Sequence, residues 1–232
     1  MQNHFPRRTI LLAALACAAA APAVAQPAPL LEGLTQGDAS AGIREALGLA
    51  SLNATTRLAQ PNGFWDNPRV RIPLPGLLGQ TQQTLAGFGA SAPLDDLQKN
   101  LNRAAETTMP QAARLFTDAV RTITIADAID IVRGGQDSAT RYLRGRTETR
   151  LNTLLRPPMT QALTRSGAFT LLRLALREVG LASMTPQLRT EVINFSTQKA
   201  LDGCFFYIAD EERAIRRDPW RRTSDILRRV FG

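Results

Sequence analysis

Residues 185–219 read TPQLRTEVINFSTQKALDGCFFYIADEERAIRRDP, and this stretch decides the fold. It opens on Thr185-Pro186, a capping residue followed by the residue type pre-shaped for the first turn of a helix. It closes on Asp218-Pro219, where a helix must end. Between them Leu201, Phe205, Ile208, Glu212 and Ile215 recur at steps of four and three, the spacing that lines up one face of an α-helix. A helix running to Arg217 with at most one break predicts an all-α chain.

The same signals repeat upstream. Asp38 or Ser40 caps a helix to about Gln60, with Ile43, Leu47, Leu49, Ala50, Ala54 and Leu58 on a rough apolar face. Gly76 to Gly87 is a short helix ended by glycine. Pro93 occupies the first turn of a longer one carrying Leu94, Leu97, Leu101, Ala104 and Ala105; Pro110 kinks or restarts it, and Ala113, Phe116 and Val120 continue the pattern. Thr124-Ile125-Ala126-Asp127 has the form of a capping box, with Asp127 as a first-turn carboxylate near the dipole. Gly134-Gly135 stops that helix. Asp137 or Ser138 caps another, which Pro157-Pro158 breaks. Thr164 to Gly180 is apolar nearly all round and is expected to be a central buried helix. Thr223 or Ser224 caps a last helix to Val230. The expectation is a single-domain bundle of about eight helices, without repeats, sustained heptads or a glycine-rich phosphate loop.

One segment interrupts it. Pro61, Pro68, Pro73 and Pro75 forbid a regular helix over residues 61–75. Val70-Arg71-Ile72-Pro73-Leu74 alternates and favours an extended path, at most an edge strand. Phe64 and Trp65, at a Gly63 turn, are expected to plug the bundle.

The N-terminal 25 residues read as an export address. Arg7 and Arg8 precede a 12-residue apolar run, Ile10 to Ala21, and Ala23-Val24-Ala25 is a small-x-small cleavage site. Cleavage after Ala25 would deliver a periplasmic chain beginning at Gln26, with residues 26–37 as a tether and 38–232 as the helical domain. Arg7-Arg8-Thr9-Ile10-Leu11 also has twin-arginine form, and Leu15-Ala16-Cys17 partly resembles a lipoprotein box.

Removing that segment narrows the chemistry. His4, the one histidine, leaves with it, and so does Cys17, so that Cys204 is the sole thiol. Histidine-based triads and His- or Cys-rich metal sites are excluded. No metal or cofactor is expected. Cys204, inside Gly203-Cys204-Phe205-Phe206, reads as a small buried hydrophobe. The chain is basic, with 28 Lys and Arg against 20 Asp and Glu, and only Lys99 and Lys199 are lysines. Export makes nucleic acid an improbable partner for that charge. Anionic envelope surfaces or an envelope protein are the expected partners.

Several segments together resemble a known family. They are Gly42-Ile43-Arg44-Glu45-Ala46-Leu47, Asn62-Gly63-Phe64 through Ile72-Pro73-Leu74-Pro75, Leu101-Asn102-Arg103-Ala104-Ala105-Glu106, Asp127-Ala128, Gly134 and Ala139-Thr140-Arg141-Tyr142. The tail adds Ile208 through Arg216, Asp218-Pro219, Arg222-Thr223 and Val230-Phe231-Gly232. The chain from about residue 38 to 232 is similar to the bacterial family known as domain of unknown function 4197. The resemblance implies an exported, mostly helical protein and no activity, so no functional residue is carried over.

Candidate site residues come from helical spacing. Glu212 falls inside the apolar stripe, with Arg216 four residues on. Asn102 and Glu106 are likewise four apart, and Arg221 and Arg222 approach from the tail. This set is either a polar or anionic binding constellation or a polar network that fixes helix register. Glu106 and Glu212 are also the carboxylates available for acid/base work. Three functions stay open: a non-enzymatic envelope protein binding a partner or small anionic ligand, a carboxylate-based hydrolase or lyase, and a lipid-binding module. The arginines from Arg216 to Arg229 are expected to favour anionic envelope surfaces.

Overall fold

Four long helices carry the core. The computed structural model describes residues 34–232 apart from 123 and 127, so the export segment, most of the tether and Asp127 lie outside the described residues. Eight α-helices occur among them: α1 (Gln36–Leu58), α2 (Gly76–Ala86), α3 (Ala92–Thr122), α4 (Ala128–Arg133), α5 (Ser138–Arg165), α6 (Ala168–Glu178), α7 (Thr185–Arg217) and α8 (Asp225–Phe231). Helix α1 packs on α3 and α7, and α5 packs on the same two; α6 lies on α3, while α4 and α8 close against α1. Helix α7, with 33 residues, spans roughly 50 Å and runs unbroken.

The helix ends refine the sequence reading. Thr35, not Asp38 or Ser40, caps α1, and Asp38 is the reciprocal partner of a capping box. Helix α1 therefore starts two residues inside the expected tether. Met184 precedes α7, which places Thr185 in its first turn beside Pro186. Ser224 caps α8 by accepting from the Leu227 amide at 3.2 Å. Thr124 and Ile125 are not helical, and α4 begins only at Ala128. The Thr124 carbonyl instead accepts from the Tyr142 hydroxyl at 2.6 Å.

Two proline expectations are settled. Helix α3 does not restart at Pro110 but runs through it, and Pro157-Pro158, expected to break the chain, lie inside an unbroken α5. Apart from Thr140, the buried residues of α5 are Ala139, Leu143, Thr147, Leu151, Leu155, Met159 and Leu163, every fourth position along the helix. Each such step advances about 40°, so the buried strip winds around the helix toward successive neighbours. Pro157 is on the solvent side, and the carbonyls its pair deprives of donors belong to exposed Thr153 and Leu154. Packing of Leu155 and Met159 carries the helix through.

The 164–180 expectation is corrected too. Gly167, at φ +78°, ends α5, and α6 is a short peripheral helix whose Leu174 is 46% exposed. Residues 71–75, which follow a turn ending at Val70, form neither helix nor strand and pair with no strand among the described residues. Phe64 is the expected plug, fully buried. Trp65 is not: it lies half-buried, with the Arg71 guanidinium 4.8 Å from its ring centre. Helix α8 docks where Gly42 leaves room, since a Cβ there would come within 2.6 Å of Val230 Cγ2.

Candidate functional site

The six residues singled out from the sequence fall into separate places. Asn102 and Glu106 project from α3 to the 61–75 excursion. The Asn102 amide both accepts from the Ile72 amide and donates to its carbonyl, each at 2.8 Å, as a neighbouring strand would. Asn102 is fully buried, and Gln98 adds a 3.3 Å bond to the same carbonyl. Glu106 accepts from the Phe64 amide at 3.4 Å, below the turn in which Asn62 takes φ +62°. Burial pushes the Glu106 carboxyl above its ordinary range, and the amides of Phe64 and Asn62 offset this in part. Gly203 of α7 completes the seat of Phe64: a Cβ there would sit 2.8 Å from the ring.

Glu212 and Arg216 serve a different junction. Glu212 Oε1 accepts from the Ala139 amide at 3.0 Å, and Oε2 from the Thr140 amide and hydroxyl at 2.8 and 2.7 Å. These are first-turn donors of α5, whose own N-cap, Asp137, makes no side-chain cap. Arg216 Nε donates to Glu212 Oε1 at 2.9 Å, while its terminal nitrogens donate to the Val132 and Ile131 carbonyls and to the Ser138 hydroxyl. Arg222 turns inward as well, donating to the Ile215 and Arg216 carbonyls at the end of α7. Arg221 stays exposed, 3.4 Å from Glu211. Glu106 and Glu212 share no partner. Glu212 is nine residues, about 13 Å, along α7 from the Gly203 that meets Phe64.

A groove that the sequence reading missed lies on the outer side of the excursion. Arg69 and Arg71 from the excursion, Arg144 from α5, and Lys199, Asp202 and Phe206 from α7 line an open space of about 480 Å³. Val70 and Ile72 are buried in the core, while Arg69, in the turn whose Val70 and Arg71 amides close on the Asn67 carbonyl, is exposed and Arg71, between the two buried residues, is half-buried. Arg71 Nε donates to the Trp65 carbonyl, which holds its guanidinium over the indole. Arg144 bonds both Glu148 and Asp202, at 2.8 and 2.6 Å, and Lys199 lies 3.2 Å from Asp202. The Arg144 bond holds the Glu148 carboxyl below its usual range. Arg69 makes no ion pair among the described residues, and its guanidinium is 5.9 Å from the Phe206 ring centre. Four cations and one carboxylate, Asp202, thus line the groove, and Glu148 pairs with Arg144 beside it. The signal was the Arg-Val-Arg alternation in a proline-rich run, together with one of the chain's two lysines.

A second cavity of about 480 Å³ lies between α3 and α5, with Leu115, Leu151 and Leu154 on its walls and Asp118, Arg146 and Arg150 also lining it. Cys204 is fully buried, its Sγ 3.6 Å from Met109 Sδ, and burial pushes its thiol up to about 12. Among the described residues, no three His, Cys, Asp or Glu side chains are placed to hold a metal ion, and no helix is long and apolar enough to cross a membrane.

Against known proteins, a family model described as protein of unknown function (DUF4197) matches residues 33–232. No curated protein and no solved structure matches the chain.

Proposed function

The chain belongs to the DUF4197 family of proteins of unknown function, and because that membership assigns no chemistry, we propose from the groove alone that it is a non-catalytic exported protein binding a small, multiply charged anion. The observation that carries this reading is the convergence of Arg69, Arg71, Arg144 and Lys199 on one open groove, with Asp202 in its lining and Glu148 paired to Arg144. Three separate elements supply the cations. Arg71 and Arg144 are pre-positioned by stacking on Trp65 and Phe205, which lowers the ordering cost of binding. Guanidinium forks suit phosphate or carboxylate oxygens in pairs. A catalytic reading has less behind it, because both buried glutamates are occupied with backbone amides at places that share no substrate. Export is supported by the arrangement of Arg7-Arg8, the apolar run and Ala23-Val24-Ala25.

Thermal unfolding with inorganic pyrophosphate tests it. A ligand that binds only the folded state raises Tm with its concentration. The expected result is a rise for the unaltered chain, beyond that given by chloride at equal ionic strength, and little rise for the Arg69→Gln/Lys199→Gln double variant. No rise, or an equal rise in the variant, overturns the proposal. The apolar-walled cavity between α3 and α5 favours a second reading, an anionic amphiphile seated on Leu115, Leu151 and Leu154. Native mass spectrometry of protein from its own compartment separates the two by whether the retained mass is a small anion or an acyl chain.

A further inference from the structure

Trp220 is 92% exposed, yet the turn that carries it is fastened on every side. The turn Pro219–Arg221 follows directly on α7. Pro219 fixes its own φ, and Asp218 Oδ1 accepts from the Trp220 amide at 3.0 Å. The Arg221 and Arg222 amides bond back to the Asp218 and Pro219 carbonyls at 3.0 and 3.1 Å. Arg222 then grips the end of α7 through two carbonyls, and Arg228 donates to the Arg222 carbonyl at 3.2 Å. The backbone beneath the indole is fixed while the ring itself stays in solvent, so the ring forgoes burial without any gain in backbone freedom.

The charges around it select that partner. Of the six tail arginines, Arg216 and Arg222 are spent on helix carbonyls, Arg228 on Asp225 and Arg229 on Asp38. Arg217, exposed, makes no ion pair among the described residues, and Arg221 only a 3.4 Å contact with Glu211. Both sit within three residues of the indole, and Asp218, the nearby acid, is engaged with the Trp220 amide. We infer that this end of the molecule docks on an anionic lipid surface, with Trp220 as the anchor and Arg217 and Arg221 on the headgroup phosphates. The indole has an apolar body and a polar N–H, the combination that settles at a water–lipid boundary. A protein interface would set its aromatic anchor within a wider apolar core. Here the residues flanking it in sequence are Arg217, Pro219, Arg221 and Thr223, all exposed, with Asp218 and Arg222 half-buried, and none is a large apolar side chain. The surface is distinct from the groove of the preceding section, so either proposal stands or fails alone.

The chain has two tryptophans, Trp65 and Trp220. In Trp65→Phe, Trp220 is the sole tryptophan, read by exciting where tyrosine does not absorb. With phosphatidylglycerol–phosphatidylcholine vesicles at low salt, the expected result is cosedimentation together with a blue shift of emission. Both should vanish at about 0.5 M salt, where charge screening shortens to a few Å. Vesicles of phosphatidylcholine alone should give neither. Trp220→Ala and Arg217→Gln/Arg221→Gln should each lower partitioning by roughly tenfold or more with Tm unchanged, because the three side chains are exposed. No cosedimentation at low salt, equal binding to neutral vesicles, or binding unaffected by these variants overturns the proposal and leaves the indole to a protein partner.

Discussion

Glu212 and Arg216, four residues apart on one face of α7, hold opposite ends of two consecutive helices. The carboxylate takes the Ala139 and Thr140 amides at the start of α5, and the guanidinium takes the Ile131 and Val132 carbonyls at the end of α4. Each charge meets the helix pole that favours it, negative at an N-terminus and positive at a C-terminus. The 2.9 Å bond between the two side chains neutralises the pair in a nearly dry site, where side-chain exposures are 2% for Glu212 and 11% for Arg216. The α4–α5 junction is thereby fixed to α7 by side chains rather than by its own caps.

Glu212→Ala should therefore cost about 3–5 kcal/mol, the range for breaking a buried pair and leaving its partner uncompensated. Glu211→Ala should cost under about 1 kcal/mol, because Glu211 makes only 3.4 Å contacts with Asn53 and Arg221 at the surface. Urea unfolding of both variants checks this. Equal midpoints would show that the Glu212 carboxylate contributes nothing at the α5 terminus.

Asn102→Ala should loosen the excursion. It leaves the Ile72 amide and carbonyl without the 2.8 Å partners that Asn102 supplies, in a place water does not reach. Each unsatisfied group costs about 1–3 kcal/mol, with Gln98 retaining part of the carbonyl's bonding. Hydrogen exchange at Ile72 should accelerate more than the global stability loss alone predicts. Exchange that merely follows global unfolding would show that the excursion does not open separately.

Much of this frame was legible because periodicity is local. The stripe through Leu201, Phe205, Ile208 and Ile215 placed Glu212 indoors, and the structure finds it 1% exposed. What Glu212 bonds was not legible, since Ala139 and Thr140 lie 73 and 72 residues away. Pro157-Pro158 misled because a proline's local penalty, the lost amide and the clash, is outweighed by the core contacts of Leu151, Leu155 and Met159. Residues 164–180 misled because leucine content was read without its angular distribution. Thr124 misled because a capping box is a side-chain possibility that forms only where the helix starts, and α4 starts at Ala128, four residues further on. The groove was invisible because its cations come from residues 69–71, 144 and 199, which only the bundle brings together.

Gly203→Ala tests how tightly Phe64 is seated. Alanine has the better helix propensity by about 1 kcal/mol, which alone would stabilise α7. The added Cβ would lie 2.8 Å from the Phe64 ring and 3.5 Å from Val70 Cβ, and overpacking of this kind costs about 1–3 kcal/mol. The clash should win, giving net destabilisation, and adding Phe64→Leu to Gly203→Ala should recover part of it. A Gly203→Ala variant more stable than the unaltered chain would show that the excursion yields freely.

Glu106 supplies the pH dependence. Burial raises its carboxyl in the native state above the unfolded value, so the folded chain binds that proton more tightly than the unfolded one. Its contribution to stability is therefore fullest at acid pH and is lost as pH rises through the native value. Glu148 and Asp38 act oppositely: the Arg144 bond lowers the first carboxyl and the Thr35 bond the second, so their support fades as pH falls. Glu106→Gln keeps an oxygen for the Phe64 amide and removes the charge, while Glu148 and Asp38 remain in both proteins and cancel in the comparison. The variant should be at least as stable as the unaltered chain near about pH 7, with any advantage shrinking as pH is lowered toward about 4. Melting temperatures of the two chains across that range check it. A difference that stays constant, or that grows on acidification, would show that the charge of Glu106 is not what the excursion's turn works against.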